Sequence, residues 1–158
     1  MEIRIIFFAL SSLLSTVALS QKLATTFQNA IDRGISIEKL DEVYQSALHV
    51  DSTKAAFRGR DDEFKKAYTS FIYDLQNFLS ERNFTWEKPT RCFNRIYIHN
   101  TGEIDYFLFN FKPGELNAEK EALFEKLLTE FIRNKKFPLT NSVHFAQCSP
   151  IAYTDKKD

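Results

Sequence analysis

Apolar positions recur with helical period through the first half of the chain and with strand alternation through much of the second. Leu23, Phe27 and Ile31 share one helical face, and Gly34 stands where a C-capping glycine would end that helix. Ser36 is placed to cap a second helix with Glu38 in its first turn, and Leu40, Val43, Tyr44, Ala47 and Leu48 carry its apolar repeat to about His49. Asp51-Ser52-Thr53 and Gly59 break the pattern. The acids Asp61, Asp62 and Glu63 then favour the positive end of a long helix with a stripe of Phe64, Ala67, Tyr68, Phe71, Ile72, Leu75, Phe78 and Leu79.

Pro89 punctuates the chain and the period changes. Residues 91–99 carry Phe93, Ile96, Tyr97 and Ile98, and residues 103–111 carry Ile104, Tyr106, Phe107, Leu108, Phe109 and Phe111. With Asn100-Thr101-Gly102 between them they predict a β-hairpin. The second strand is apolar on both faces, which implies that something covers each side. Asn117 caps a predicted helix over 117–134 with Leu123, Phe124, Leu127, Leu128, Phe131 and Ile132 on one face. That helix is expected to cover one side of the sheet and the N-terminal helices the other. Residues 143–153 read as a last strand, with Pro150 restricted to a bulge or an unpaired edge. The expected fold class is therefore α+β, with N-terminal helices packed on a three-stranded antiparallel sheet. Placing the last strand beside the first gives the order 2-1-3 and leaves the strand 103–111 at an edge.

The first residues stand apart. Glu2 and Arg4 precede the apolar run from Ile5 to Leu10, and Ala18 and Ser20 supply small residues before Gln21, the pattern of a secretory leader cut between Ser20 and Gln21. A spanning helix needs about 20 apolar residues. The leader run is shorter and is diluted by Ser11, Ser12, Ser15 and Thr16, which favours cleavage over retention as an anchor. The expected organisation is thus a signal peptide at 1–20, a helical region at 21–86 and a β-β-α-β region at 87–158, packed as one globule. The protein is expected to be exported, to the periplasm first and to the extracellular space as the other destination.

The formal net charge is zero, so no basic excess drives binding to nucleic acid. Four glycines, four prolines and sixteen phenylalanines argue for packed structure. An oxidising compartment favours pairing of the two cysteines, Cys92 and Cys148. If they oppose each other on adjacent antiparallel strands, Ile96 falls near His144 and His99 near Asn141.

The residue types that carry catalytic chemistry do not assemble into a motif. His99 and His144 are expected at one end of the sheet, but with His49 they lack the third ligand and spacing of a metal motif. Asp61, Asp62, Glu63, Glu119 and Glu121 sit at helix starts, where acids favour the dipole. Ser52-Thr53-Lys54 lacks the glycines of a phosphate loop, and Ser149 lacks the elbow of a hydrolase. Asn83-Phe84-Thr85 has the form of a glycosylation acceptor, a signal relevant to a eukaryotic secretory host. Tyr97, Tyr106, Phe107, Phe109, Phe111 and Trp86 suit either a core or an apolar ligand groove. No catalytic, cofactor or metal residue is assigned.

The hairpin around Asn100-Thr101-Gly102-Glu103-Ile104, the following helix ending in Phe137-Pro138, and the closing Val143-His144-Phe145-Ala146 together resemble the C-terminal domain of the TonB family of energy transducers. Arg91-Cys92-Phe93-Asn94 and Phe145-Ala146-Gln147-Cys148-Ser149-Pro150 also look like exported bacterial proteins carrying such a domain. The resemblance covers under half of the chain. It implies an envelope protein that binds a protein partner by pairing at a sheet edge. The long Pro-rich spacer of a transducer is not in this sequence. With the 2-1-3 order, the expected binding edge is Asp105, Phe107 and Phe109, offered by main-chain groups. The expected function is a non-catalytic envelope module, the alternative being an exported ligand-binding protein or enzyme with an aromatic groove.

Overall fold

A computed structural model describes residues 22–155; the leader and the Ser20–Gln21 cleavage point lie outside the described residues. The helices expected from the strongest periodicity form. Helix α3 (Asp61–Glu81) has three acids in its first turn and buries Phe64, Ala67, Phe71, Ile72, Leu75 and Leu79. Helix α4 (Ala118–Asn134) is capped by Asn117, whose side chain accepts from the Lys120 amide at 2.8 Å, and buries Phe124, Leu127, Leu128, Phe131 and Ile132. Each fully buried Phe, Leu or Ile contributes about 1.5–3 kcal/mol relative to exposure. The stripes therefore decide where these helices sit more than their intrinsic propensity does.

The hairpin also forms, from β3 (Thr90–Ile98) and β4 (Ile104–Phe111), and the closing strand β5 (Phe145–Tyr153) pairs antiparallel with β3. The order 2-1-3 therefore appears as β4-β3-β5, but only as the middle of a larger sheet. Strand β1 (Leu23–Thr26) lies parallel to β4, and β2 (Gln45–Ser46) lies parallel to β5, giving β1-β4-β3-β5-β2. The sheet is five-stranded and mixed, not three-stranded and antiparallel.

Both extra strands replace parts of expected helices. Leu23, Phe27 and Ile31 do not share one helix, because β-branched Thr25 and Thr26 continue an extended segment. The Thr26 hydroxyl accepts from the Asn29 amide at 3.1 Å and starts the short α1 (Phe27–Asp32). Ser36 caps α2 (Ile37–Val43) as expected, its hydroxyl accepting from the Lys39 amide, but that helix ends before Gln45 joins β5.

The two faces of the sheet are covered unequally. Helices α3 and α4 share one face, where Ile96, Ile98, Phe107, Phe109, Phe145 and Tyr153 join the main core. The expected division, with α4 opposite the N-terminal helices, is corrected: only α1 and α2 occupy the second face. There Ala30, Phe27, Leu40 and Tyr44 pack against Tyr97, Leu108 and Ala146. They reach only the hairpin-turn end, and at the other end of this face Phe93, Asn110, Pro150 and Ala152 are exposed.

Candidate functional site

Strand alternation decides what each expected site residue can do. Phe107 and Phe109 point into the main core and are fully buried, and in the backbone ladder they lie opposite Ala24 and Thr26 of β1. The row of main-chain groups expected to be open on this edge is thus engaged by the chain's own β1. Asp105 behaves differently. The β3–β4 register shifts between Tyr97 and Ile98, so Asp105 is the extra residue of a bulge. It is buried and accepts a hydrogen bond from the Tyr44 hydroxyl at 2.7 Å. Burial first, and then this bond to a carboxylate, push the Tyr44 phenol far above its ordinary range.

A polar cluster surrounds Tyr44 on the second face. Asp41 accepts from the Tyr97 hydroxyl at 3.0 Å and is ion-paired with Arg95. The Tyr44 ring meets that of Tyr97 edge-on at 5.2 Å and that of His144 at 5.5 Å. His99 and His144 do meet at one end of the sheet, with ring centroids 4.4 Å apart. Each imidazole serves the turn instead of a ligand: His144 Nδ1 accepts from the Asn100 amide at 3.0 Å and His99 Nδ1 from the Thr101 amide at 3.3 Å. His49 Nδ1 similarly accepts from the Asp51 amide. Among the described residues no group of three or more His, Cys, Asp or Glu side chains is arranged to hold a metal.

The expected disulfide is not formed. Cys92 lies opposite Ile151 and Cys148 opposite Arg95, so the register is three residues from the one that would join the thiols. An odd offset also sends the two side chains to opposite faces. Cys92 faces the core, where its thiol donates to Asn94 Oδ1 at 3.2 Å and Asn94 Nδ2 donates to the Tyr153 hydroxyl at 2.6 Å. Burial pushes the Cys92 thiol up to about 12. Cys148, exposed at the surface, is also raised, by partial desolvation against an opposing effect of Arg95. Neither thiol is activated as a nucleophile, because activation requires the opposite shift.

No family model, curated protein or solved structure matches this chain. The site must therefore be read from its own geometry. The aromatic residues considered for a groove are divided between cores: Phe107, Phe109, Phe111 and Trp86 fill the main one, and Tyr97 the smaller. Asp61 to Glu63 and Glu119 with Glu121 sit in first helical turns. Glu63 is ion-paired with Arg60.

On the other side of the sheet the closing strand is expected at an edge, and what sequence reasoning missed is that β2 covers only its start and leaves the rest open. Strand β2 covers only Phe145 and Ala146 of β5, leaving residues 147–153 without a strand neighbour on their outer side among the described residues. The Gln45 and Ala47 amides donate to the carbonyls of His144 and Ala146. Alternation therefore turns the backbone of Cys148, Pro150 and Ala152 outward. The Gln147 side chain already donates to the Cys148 carbonyl at 2.8 Å, and Pro150 has no donor. The Cys148 and Ala152 amides and the Pro150 and Ala152 carbonyls remain directed outward. Beside this edge, on the α3 side, a hollow of about 270 Å³ is lined by Tyr68, Ile72, Tyr73 and Ile151. On the second face, Pro150 and Ala152 border a larger cleft. Pro150 signals this edge in the sequence, since proline is confined to bulges and unpaired edges, whereas β2, which covers only the start of β5, is too short to recognise there.

Proposed function

We propose that this chain is a non-catalytic module of the cell envelope, exported to the periplasm, that captures an extended segment of another protein by strand addition along β5. The leader pattern and the TonB-like arrangement of residues 91–153 support the compartment and the mode. The observation that carries the site is the outward backbone of Cys148, Pro150 and Ala152 lying between two hollows. Main-chain bonds supply affinity in such pairing, and the hollows accept alternate side chains of the added strand. The edge at Asp105, Phe107 and Phe109 is not the proposed surface, since β1 lies along it.

The test uses the partner recovered from envelope extract and purified. Ala152 is exposed and its amide points outward, so Ala152→Pro removes a donor from the edge without removing a ladder bond to β3. Its far-UV spectrum should match wild type while affinity for the partner falls about tenfold. Hydrogen exchange at the Cys148 and Ala152 amides should slow on binding. A folded Ala152→Pro protein that binds as tightly as wild type, with neither amide protected, refutes strand addition at β5.

A further inference from the structure

The uncovered end of the second face holds a cleft of about 510 Å³ over β4, β3 and β5, within the size range of small-molecule sites. Phe93, Pro150 and Ala152 give it an apolar floor, with Pro113 at its wall. Phe93 is 42 % exposed although it stands mid-strand, and the Phe27 ring of α1 lies 5.9 Å from its own.

At one end of the cleft two cations stand together. The Lys112 amide donates to the Arg91 carbonyl at 3.4 Å, which continues the β3–β4 ladder and makes Arg91 and Lys112 cross-strand neighbours on this face. Like charges so placed oppose pairing. One carboxylate offsets them: Glu115, itself largely shielded, lies 3.4 Å from Arg91 Nε. Lys112 has no ion-pair partner among the described residues. The cleft thus combines an apolar floor with a local excess of positive charge at one end, although the chain as a whole has no net charge.

We infer that this cleft is a binding site for a small amphipathic carboxylate, whose apolar body lies on Phe93, Pro150 and Ala152 and whose anionic head sits between Arg91 and Lys112. A neutral apolar ligand would leave the cation pair uncompensated, and a cationic one would add to the repulsion. The site goes beyond strand addition at β5 and does not require it, but the two share Pro150 and Ala152, so a bound carboxylate and an added strand compete there.

The probe is free dodecanoate below its micellar concentration, titrated calorimetrically into the wild-type chain, with dodecyltrimethylammonium as the opposite-charge control and phosphatidylglycerol vesicles as the lipid-surface arm. Dodecanoate should bind with one-to-one stoichiometry and at least about tenfold more tightly than the cationic probe. Lys112 and Ala152 are both exposed, so Lys112→Glu and Ala152→Trp should retain the fold. The first removes the charge match and the second fills the cleft, and each should weaken dodecanoate about tenfold or more. Equal affinity for the two probes, or dodecanoate binding unchanged in both folded variants, overturns the inference. So does capture by vesicles with no binding of free dodecanoate, or a wild-type dimer that Ala152→Trp abolishes, which would make a second copy the occupant.

Discussion

At the scale of single residues, the hairpin turn leaves no room for a side chain at Gly102, unlike the positions of the other three glycines. Gly102 has φ +85°, and a Cβ there would lie 2.7 Å from the Phe137 carbonyl oxygen. That carbonyl cannot retreat freely, because the Phe137 amide donates to the Gly102 carbonyl at 2.7 Å and ties the segment after α4 to the turn. Gly102→Ala should therefore lower the free energy of unfolding by about 1–3 kcal/mol, read from urea denaturation; an unchanged midpoint would contradict the contact. The cysteines give a second test at this scale. A maleimide should modify exposed Cys148 in the native chain and reach Cys92 only after unfolding, so mass spectrometry should find one adduct and then two. A native chain with no adduct and an intact Cys92–Cys148 bond would contradict the β3–β5 register.

At the scale of elements, what was legible depended on how local the determining forces are. The α3 and α4 stripes and the β3–β4 hairpin announce themselves within a few turns of chain, and all three form where the pattern puts them. Strands β1 and β2 have four and two residues and exist through parallel pairing with β4 and β5, which no local period encodes. Missing β1 made the β4 edge look available, and a three-residue error in β3–β5 register put both cysteines on one face. The covering of β4 is testable. Ala24 is buried, its carbonyl accepts from Thr129 Oγ1 at 3.4 Å, and Thr25 Oγ1 donates to Glu125 at 3.1 Å. Deleting residues 21–26 should cost about 2–4 kcal/mol in lost burial and hydrogen bonds. It should also promote self-association through the bared edge, seen by sedimentation velocity and reversed by a peptide of residues 21–28. A truncated chain that stays monomeric and equally stable would show that β1 does not guard this edge.

At the scale of the whole molecule, the buried proton-bearing groups act together on stability at high pH. Cys92 and Tyr68 are both raised by burial to about 12, from ordinary values of 9.0 and 10.0. Tyr44, Tyr97 and Tyr153 are raised too, with burial the leading cause in each. In every case the folded chain holds the proton more tightly than the unfolded one. The associated stability is fully present below the unfolded values and is lost as pH rises through the folded ones. For Cys92 the window opens near pH 9 and for Tyr68 near pH 10, and both close near pH 12. Inside it each group contributes at most about 1.4 kcal/mol of lost stability per pH unit. The urea midpoint should therefore fall above pH 9, and phenolate absorbance in the native chain should lag that of the urea-unfolded chain as pH is raised. Cys92→Ala should flatten the early part of the fall, since the thiol window opens first, while leaving the phenolate lag in place. Native and unfolded chains with superimposable phenolate titrations would contradict the burial of Tyr68, Tyr97 and Tyr153, and with it the packing of both faces of the sheet.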